Sequence, residues 1–362
     1  MTLSSPVLLV LGLVLLAGGA DVLIRGAARL GLSLGLSPLV VGLTVVAVGT
    51  SAPELGVSVF SAWAGQGDLA VGNVVGSNIG NLLLILGLSA LLRPLVVDPA
   101  VLRWDFPFLV GVSALLFALA WDGALSSVDG LVCLLLGCVY TWRSIQVGRR
   151  QGTETPEGVP RSVGRPRFAT VARDLALIGV GLGMLVLGSR WLVDAAVHMA
   201  RALGVSELVI GLTVVAIGTS LPELFTSIVA TMRGQREIVV GNVVGSNIAN
   251  ILLVLGATAV VARGPVRVAP GALALDVPVM LFATVCCYPL LLTGGAVSRK
   301  EGALLMSGYF VYVVHLALTA ARHAWAPGFA RVALFAFVPV ACLVAVGASV
   351  SAWRAGRFRA RT

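Results

Sequence analysis

A chain of 362 residues with 58% hydrophobic residues, 11% charged residues and a net charge of +9 has a mean hydropathy of +1.01. Repeated apolar runs of about 20 residues mark a polytopic helical membrane protein rather than a soluble domain. The basic residues fall between the runs, where they set orientation, so the charge is no argument for a nucleic-acid partner. Cys133, Cys138, Cys286, Cys287 and Cys342 lie in apolar runs without metal-ligand spacing and read as packing residues.

Taken in chain order, the apolar runs predict eleven spans, at about 6–24, 38–63, 70–92, 105–121, 125–147, 174–194, 207–231, 238–261, 273–293, 302–320 and 331–353. The first lacks a basic n-region and a small-residue cleavage site and reads as a retained span. Residues 148–173, rich in Pro, Gly and Arg, read as a cytoplasmic linker between a first half (1–147) and a second (174–320), with 321–362 an added span and Arg-rich tail. With the N-terminus outside, 19 Lys and Arg residues fall inside and six outside, a positive-inside bias.

Residues 42–89 and 211–258 align without a gap at an offset of 169 and agree at 29 of 48 positions, so the chain contains an internal duplication. The copies are five crossings apart, an odd number, which inserts the second upside down. The expected fold is therefore all-α: two inverted five-helix repeats plus an eleventh C-terminal transmembrane helix.

Each copy carries G-T-S-x-P-E followed by G-N-V-V-G-S-N-I-x-N. Glu54 and Glu223 stand inside spans, where an acid is costly unless it faces a cavity, a partner or an ion. Pro53 and Pro222 lack the N–H that would bond the carbonyls of Gly49 and Gly218, so each motif is expected to kink its helix and turn carbonyls near Thr50 and Thr219 off the axis. With the hydroxyls of Thr50, Ser51, Thr219 and Ser220, this is an all-oxygen set of the kind hard cations prefer.

In the following span Asn73, Ser77 and Asn81 form one polar row beside Gly72, Gly76 and Gly80; the second copy has Asn242, Ser246 and Asn250 beside Gly241, Gly245 and Ala249. The small row lets the helix approach the kinked one, and the polar row then faces the glutamates. Asn73 and Asn242, furthest from the acids, read as helix ties. Asp68 and Glu237 read as solvated, and His198, His315 and His323 are neither repeated nor clustered. An intramembrane enzyme would want two carboxyl environments that differ, which matching motifs do not provide.

These motifs resemble the alpha repeats of the cation/calcium exchanger superfamily, most closely the bacterial sodium/calcium exchangers, over about residues 6–320. The resemblance implies ten helices in two inverted halves, with one Ca²⁺ competing with several Na⁺ among the second, third, seventh and eighth helices. It implies Glu54 and Glu223 as central ligands, with the carbonyls of Thr50 and Thr219. Na⁺ sites would use Ser51 and Ser77 on one side, Ser220 and Ser246 on the other, and the carbonyls of Ala47 and Ala216. Asn81 and Asn250 would line the middle, and the first and sixth helices would slide as a gating pair. Some members carry aspartate where Asn81 or Asn250 stands, a feature linked to K⁺ transport; two amides here imply K⁺-independent exchange. The transported ions are the expected partners beside the bilayer, no cofactor is expected, and the implied location is the cytoplasmic membrane.

Overall fold

The structure, a computed structural model, describes residues 5–151, 168–202, 216–292 and 295–354. Most of the expected linker, the opening residues of the second repeat and the end of the Arg-rich tail lie outside the described residues. Among the described residues nine helices are long and apolar enough to cross a membrane, or ten when one bent pair counts as a single span.

Helix α1 is Ser5–Leu34. The bent pair is α2 (Pro38–Thr50) and α3 (Ala52–Trp63), followed by α4 (Gly67–Leu92), α5 (Val101–Asp122), α6 (Ser127–Arg149) and α7 (Ala169–Ala202). The second copy resumes with the short turn Ala216–Gly218 and α8 (Leu221–Met232). Then come α9 (Arg236–Val261), α10 (Ala272–Leu292), α11 (Arg299–Ala320) and α12 (Ala326–Val350).

Two boundaries differ from expectation. Helices α1 and α7 outrun their predicted spans by ten residues or so, because the basic residues read as loop remain helical. Asp21 pairs with Arg25 one turn on at 2.8 Å, and also with Arg233 beyond the end of α8. At about 1.5 Å per residue the 30-residue α1 is about 45 Å long, more than the hydrocarbon core requires.

The fold is all-α as expected, with one small addition. Four two-residue strands, β1 (Leu95–Val96), β2 (Ala124–Leu125), β3 (Val266–Arg267) and β4 (Ala296–Val297), form two antiparallel ribbons, β1 with β4 and β2 with β3. Each ribbon joins a loop of one half to a loop of the other, satisfying backbone N–H and C=O groups at the helix ends. Two residues are too few to carry a period-2 signal.

Burial orders the helices. In the most apolar window of α9, 94% of residues are buried, and in α4 78%, against 11% in α12. The repeated motif helices are thus the centre of the molecule, and α12 lies at its margin, where its partners are α10 and α11.

Glycine decides how closely the helices approach. Along α1, Gly12 and Gly19 meet the backbone of Gly188 and Gly181 on α7, so the two helices run antiparallel with their main chains in contact. Gly241 and Gly245 do the same for α9 on α2: a Cβ on Gly241 would lie 2.7 Å from the Leu39 carbonyl, and one on Gly245 2.5 Å from that of Leu43. The close approach expected of the second copy's small row is present.

A second repeated polar element ties the outer helices. Asp105 opens a D-x-P-x stretch on α5 and accepts the Tyr140 hydroxyl of α6 at 3.0 Å; Asp276 opens another on α10 and accepts Tyr312 of α11 at 2.9 Å. In both, a π-turn (Val101–Asp105, Ala272–Asp276) ends two residues before a proline, Pro107 or Pro278, which supplies no N–H for an α-turn. A third π-turn, Ala333–Phe337, ends two residues before Pro339 in α12.

Candidate functional site

The site begins with the helix break that Pro53 imposes. Ser37 caps α2 by accepting the Val40 N–H, and Pro38 takes the first helical position. The chain then runs helically to Thr50, leaves helical geometry at Ser51 (φ −78°, ψ 4°) and resumes as α3 at a bend of 42°. Ser220 adopts the matching conformation (φ −88°, ψ 6°) before α8. The carbonyl freed by Pro222, that of Gly218, accepts the Ser189 hydroxyl of α7. The kink expected from sequence is present as this bend in the first copy, and in the second the chain leaves helical geometry at the matching residue.

Glu54 and Glu223 follow the breaks by three residues and are 0% and 1% exposed. They belong to one cluster. Ser51 donates to Oε1 of Glu223 at 3.3 Å, and Ser220 donates to Oε1 of Glu54 at 3.3 Å, so each break residue reaches the acid of the other half. Thr50 donates to Oδ1 of Asn242 at 3.3 Å and Thr219 to Oδ1 of Asn73 at 3.2 Å. Both bonds recur with the two copies exchanged, the self-complementary pattern of a two-fold contact.

Ser77 and Ser246 join this cluster, but with partners other than those expected. Ser220 donates to Ser77 at 3.1 Å, and Ser246 lies 3.5 Å from the Ala47 carbonyl. The expectation set Ser51 with Ser77 and Ser220 with Ser246; the structure brings Ser77 to Ser220 across the halves. The packing of α2 on α9 places the first break against the straight helix of the opposite copy, and Ser220 of the second break meets Ser77 of α4.

Asn73 donates to the Glu54 carbonyl at 3.3 Å and to Ser58 at 3.1 Å, and Asn242 donates to Ser227 at 3.2 Å. These are the ties anticipated for the outer ends of the polar rows. They also engage the Thr50 and Thr219 hydroxyls, leaving the carbonyls of those residues as the atoms available to a ligand. Asp68 and Glu237 are exposed, as expected. Ala47 is buried beside the cluster, and Ala216 opens the turn before the second break; nothing is described of its side chain.

Four residues escaped the sequence reading. Ser58 and Ser227, both fully buried, anchor Asn73 and Asn242. Asn78 and Asn247 bond each other across the halves and also meet Asn250 and Asn81. All four recur at the offset of 169, and that recurrence was the available signal; they were passed over because they stand off the i, i+4 rows that face the acids.

What remains unpaired defines the chemistry. Among the described residues, Oε2 of Glu54, Oε2 of Glu223, Oδ1 of Asn81 and Oδ1 of Asn250 are buried with no hydrogen-bond partner. These are two carboxylate and two amide oxygens, in pairs equivalent between the two copies, that no protein donor meets. A buried acceptor left unpaired costs about 1–3 kcal/mol, and a buried unpaired charge more, so four such atoms together mark a place for a cation or proton.

Comparison with known proteins agrees with this geometry. The family model described as sodium/calcium exchanger protein matches residues 4–146 and 174–318. The chain is 39% identical to the inner membrane protein YrbG of Escherichia coli (strain K12) over 328 residues, covering 87% of this chain and 97% of that protein. It is 31% identical to the sodium/calcium exchanger MaX1 of Methanosarcina acetivorans, covering 85% and 97%. Among solved structures it is similar to the sodium-calcium exchanger NCX_Mj soaked with 2.5 mM Na⁺ and 0.1 mM Ca²⁺, with TM-score 0.73, 30% identity, and 87% and 99% of the two chains covered. A helical membrane protein whose duplicated acids share one oxygen-lined centre, with these relatives among exchangers, belongs to the sodium/calcium exchanger family.

Proposed function

We propose that the protein is a secondary antiporter that exchanges Na⁺ for Ca²⁺ across the cytoplasmic membrane by alternating access, independently of K⁺. The observation that carries this reading is the set of four orphaned buried oxygens on Glu54, Glu223, Asn81 and Asn250. A Ca²⁺ ion takes six to eight oxygens, and the set supplies them when the carbonyls of Thr50 and Thr219 join the acids. Na⁺ ions flank it at the serines: Ser77 with Ser220 on one side, Ser51 with Ser246 and the Ala47 carbonyl on the other, the Ala216 carbonyl completing the set.

Charge arithmetic then sets the electrical signature. Two carboxylates neutralise one Ca²⁺, whereas three Na⁺ leave one positive charge over, so exchange moves net charge. Amides at 81 and 250 keep the centre at two formal negative charges, which gives K⁺ no additional acid. Residues 1–147 and 174–320 act as the two oppositely inserted halves, with the N-terminus outside and the C-terminus inside; the inner-membrane relative supports the same membrane.

A second reading rests on the same unpaired Oε2 atoms, which would equally hold a proton. In that case one glutamate cycles between a proton and Ca²⁺, and the protein is a Ca²⁺/H⁺ antiporter. The serine cages favour Na⁺, since a proton needs no oxygen cage.

Isotopic Ca²⁺ flux into proteoliposomes, with Na⁺, K⁺ and H⁺ gradients imposed one at a time, tests both. Uptake driven by a Na⁺ gradient alone, and accelerated by a membrane potential of the favourable sign, is the expected result. Uptake driven only by a pH gradient establishes the second reading.

A further inference from the structure

Asn78 and Asn247, which the polar rows bypass, stand 1% and 0% exposed at the contact between α4 and α9. Asn78 Nδ2 donates to the Asn247 backbone carbonyl at 3.2 Å, with the Met280 sulfur also 3.7 Å away, and Asn247 Nδ2 donates to the Asn78 carbonyl at 3.4 Å. A backbone carbonyl only accepts, so each bond settles which branch of the amide is nitrogen. The oxygen of each must therefore point the other way. There Asn78 Oδ1 receives the Asn250 amide at 3.1 Å, and Asn247 Oδ1 receives the Asn81 amide at 3.0 Å. With their nitrogens so engaged, Asn81 and Asn250 present their oxygens to the centre, and these are the two orphaned amide oxygens.

From this chain of donors and acceptors we infer that Asn78 and Asn247 are positioning residues for cation affinity. They lock the flip of Asn250 and Asn81 so that oxygen, and not an NH₂ group, faces the ion. The inference rests on the exchange reading above and deepens it. A free amide turns through 180° at little cost and would then aim a donor at a cation; the lock removes that state. Each lock is supplied by the opposite half, so neither half can present a correctly oriented amide alone. The π-turns Gly80–Ile85 and Asn250–Leu255 begin at this level, just after Asn78 and Asn247.

The test is a double-mutant cycle read as the Ca²⁺ concentration for half-maximal Na⁺-driven uptake in proteoliposomes. Asn78→Ala should raise that concentration about tenfold, the worth of one lost orientation, while leaving the maximal rate within about twofold. Asn78→Ala added to Asn250→Ala should cost almost nothing further, because no amide remains to orient. Asn250→Asp presents oxygen whichever way it turns, so in that background Asn78→Ala should again have little effect. Should Asn78→Ala not reach the membrane, Asn247→Ala with Asn81→Ala and Asn81→Asp repeats the cycle through the other half. An unchanged half-maximal concentration in Asn78→Ala, the same fold-change in all three backgrounds, or a loss confined to the maximal rate would overturn the inference. Unmodified protein that carries no Ca²⁺ under a Na⁺ gradient would instead overturn the exchange reading itself.

Discussion

The proposed exchange rests first on Glu54 and Glu223, buried acids that each accept a serine hydroxyl at Oε1 and keep Oε2 unpartnered. Glu54→Gln or Glu223→Gln keeps the shape but removes half of the charge that balances a divalent ion. Either substitution should abolish Na⁺-driven Ca²⁺ uptake while leaving the protein folded, as size-exclusion profile and helical circular dichroism would check. Gly245 acts in the opposite sense: it holds structure by what it lacks. A Cβ there would stand 2.5 Å from the Leu43 carbonyl and 2.8 Å from the Ala47 Cβ, so Gly245→Ala must push α9 away from α2. Overpacking of this kind costs about 1–3 kcal/mol, and here it also displaces the Ala47 carbonyl from Ser246. A lower unfolding temperature together with weakened Na⁺ dependence is expected.

Among elements, the broken helices and the straight helices divide the labour. The breaks at Ser51 and Ser220 bring acids and hydroxyls to the centre, and α4 and α9 hold them there through Asn73 and Asn242. The outer ties from Asp105 to Tyr140 and from Asp276 to Tyr312 carry no part of the ion chemistry. They join α5 to α6 and α10 to α11, and Arg143 lies 4.0 Å over the Trp104 ring beside the first of them. Tyr140→Phe leaves the buried Asp105 without its hydroxyl partner and should lower stability by about 1–3 kcal/mol. Thermal unfolding in detergent would register the loss, while the Ca²⁺ dependence of transport in the surviving protein stays unchanged. Helix α12 is among the least buried spans and should be dispensable for the ion site: a chain stopped after Ala321 is expected to retain exchange, measured by the same flux.

The molecule as a whole is organised by contacts that recur with its halves exchanged: acids with break serines, asparagines with asparagines, and one loop ribbon at each of two places. A site assembled from both halves is the arrangement that the proposed alternating access would use. Orientation belongs to this scale. With 19 of 25 Lys and Arg residues assigned inside, a cysteine placed near the C-terminus of a variant lacking the native cysteines should react with a membrane-permeant reagent and resist an impermeant one in intact cells. Labelling by the impermeant reagent would reverse the topology.

The sequence by itself determined the class, the duplication, the helix breaks and the identity of the acids. Each follows from local chemistry: hydropathy sets spans, proline removes a donor, and a carboxylate repeated inside two spans has few reasons to exist. It also marked the row residues Ser77, Asn81, Ser246 and Asn250, since helical periodicity is a local property. Tertiary structure alone decided who meets whom. That Ser220 pairs with Ser77, that Ser51 serves Glu223, and that Asn78 and Asn247 hold the orientation of their neighbours' amides all depend on α2 packing against α9 of the other half. A hydrogen bond between residues more than 140 positions apart has no periodicity to betray it, and the short ribbons had none either. The register between the halves comes from glycine contacts that only the assembled backbones reveal.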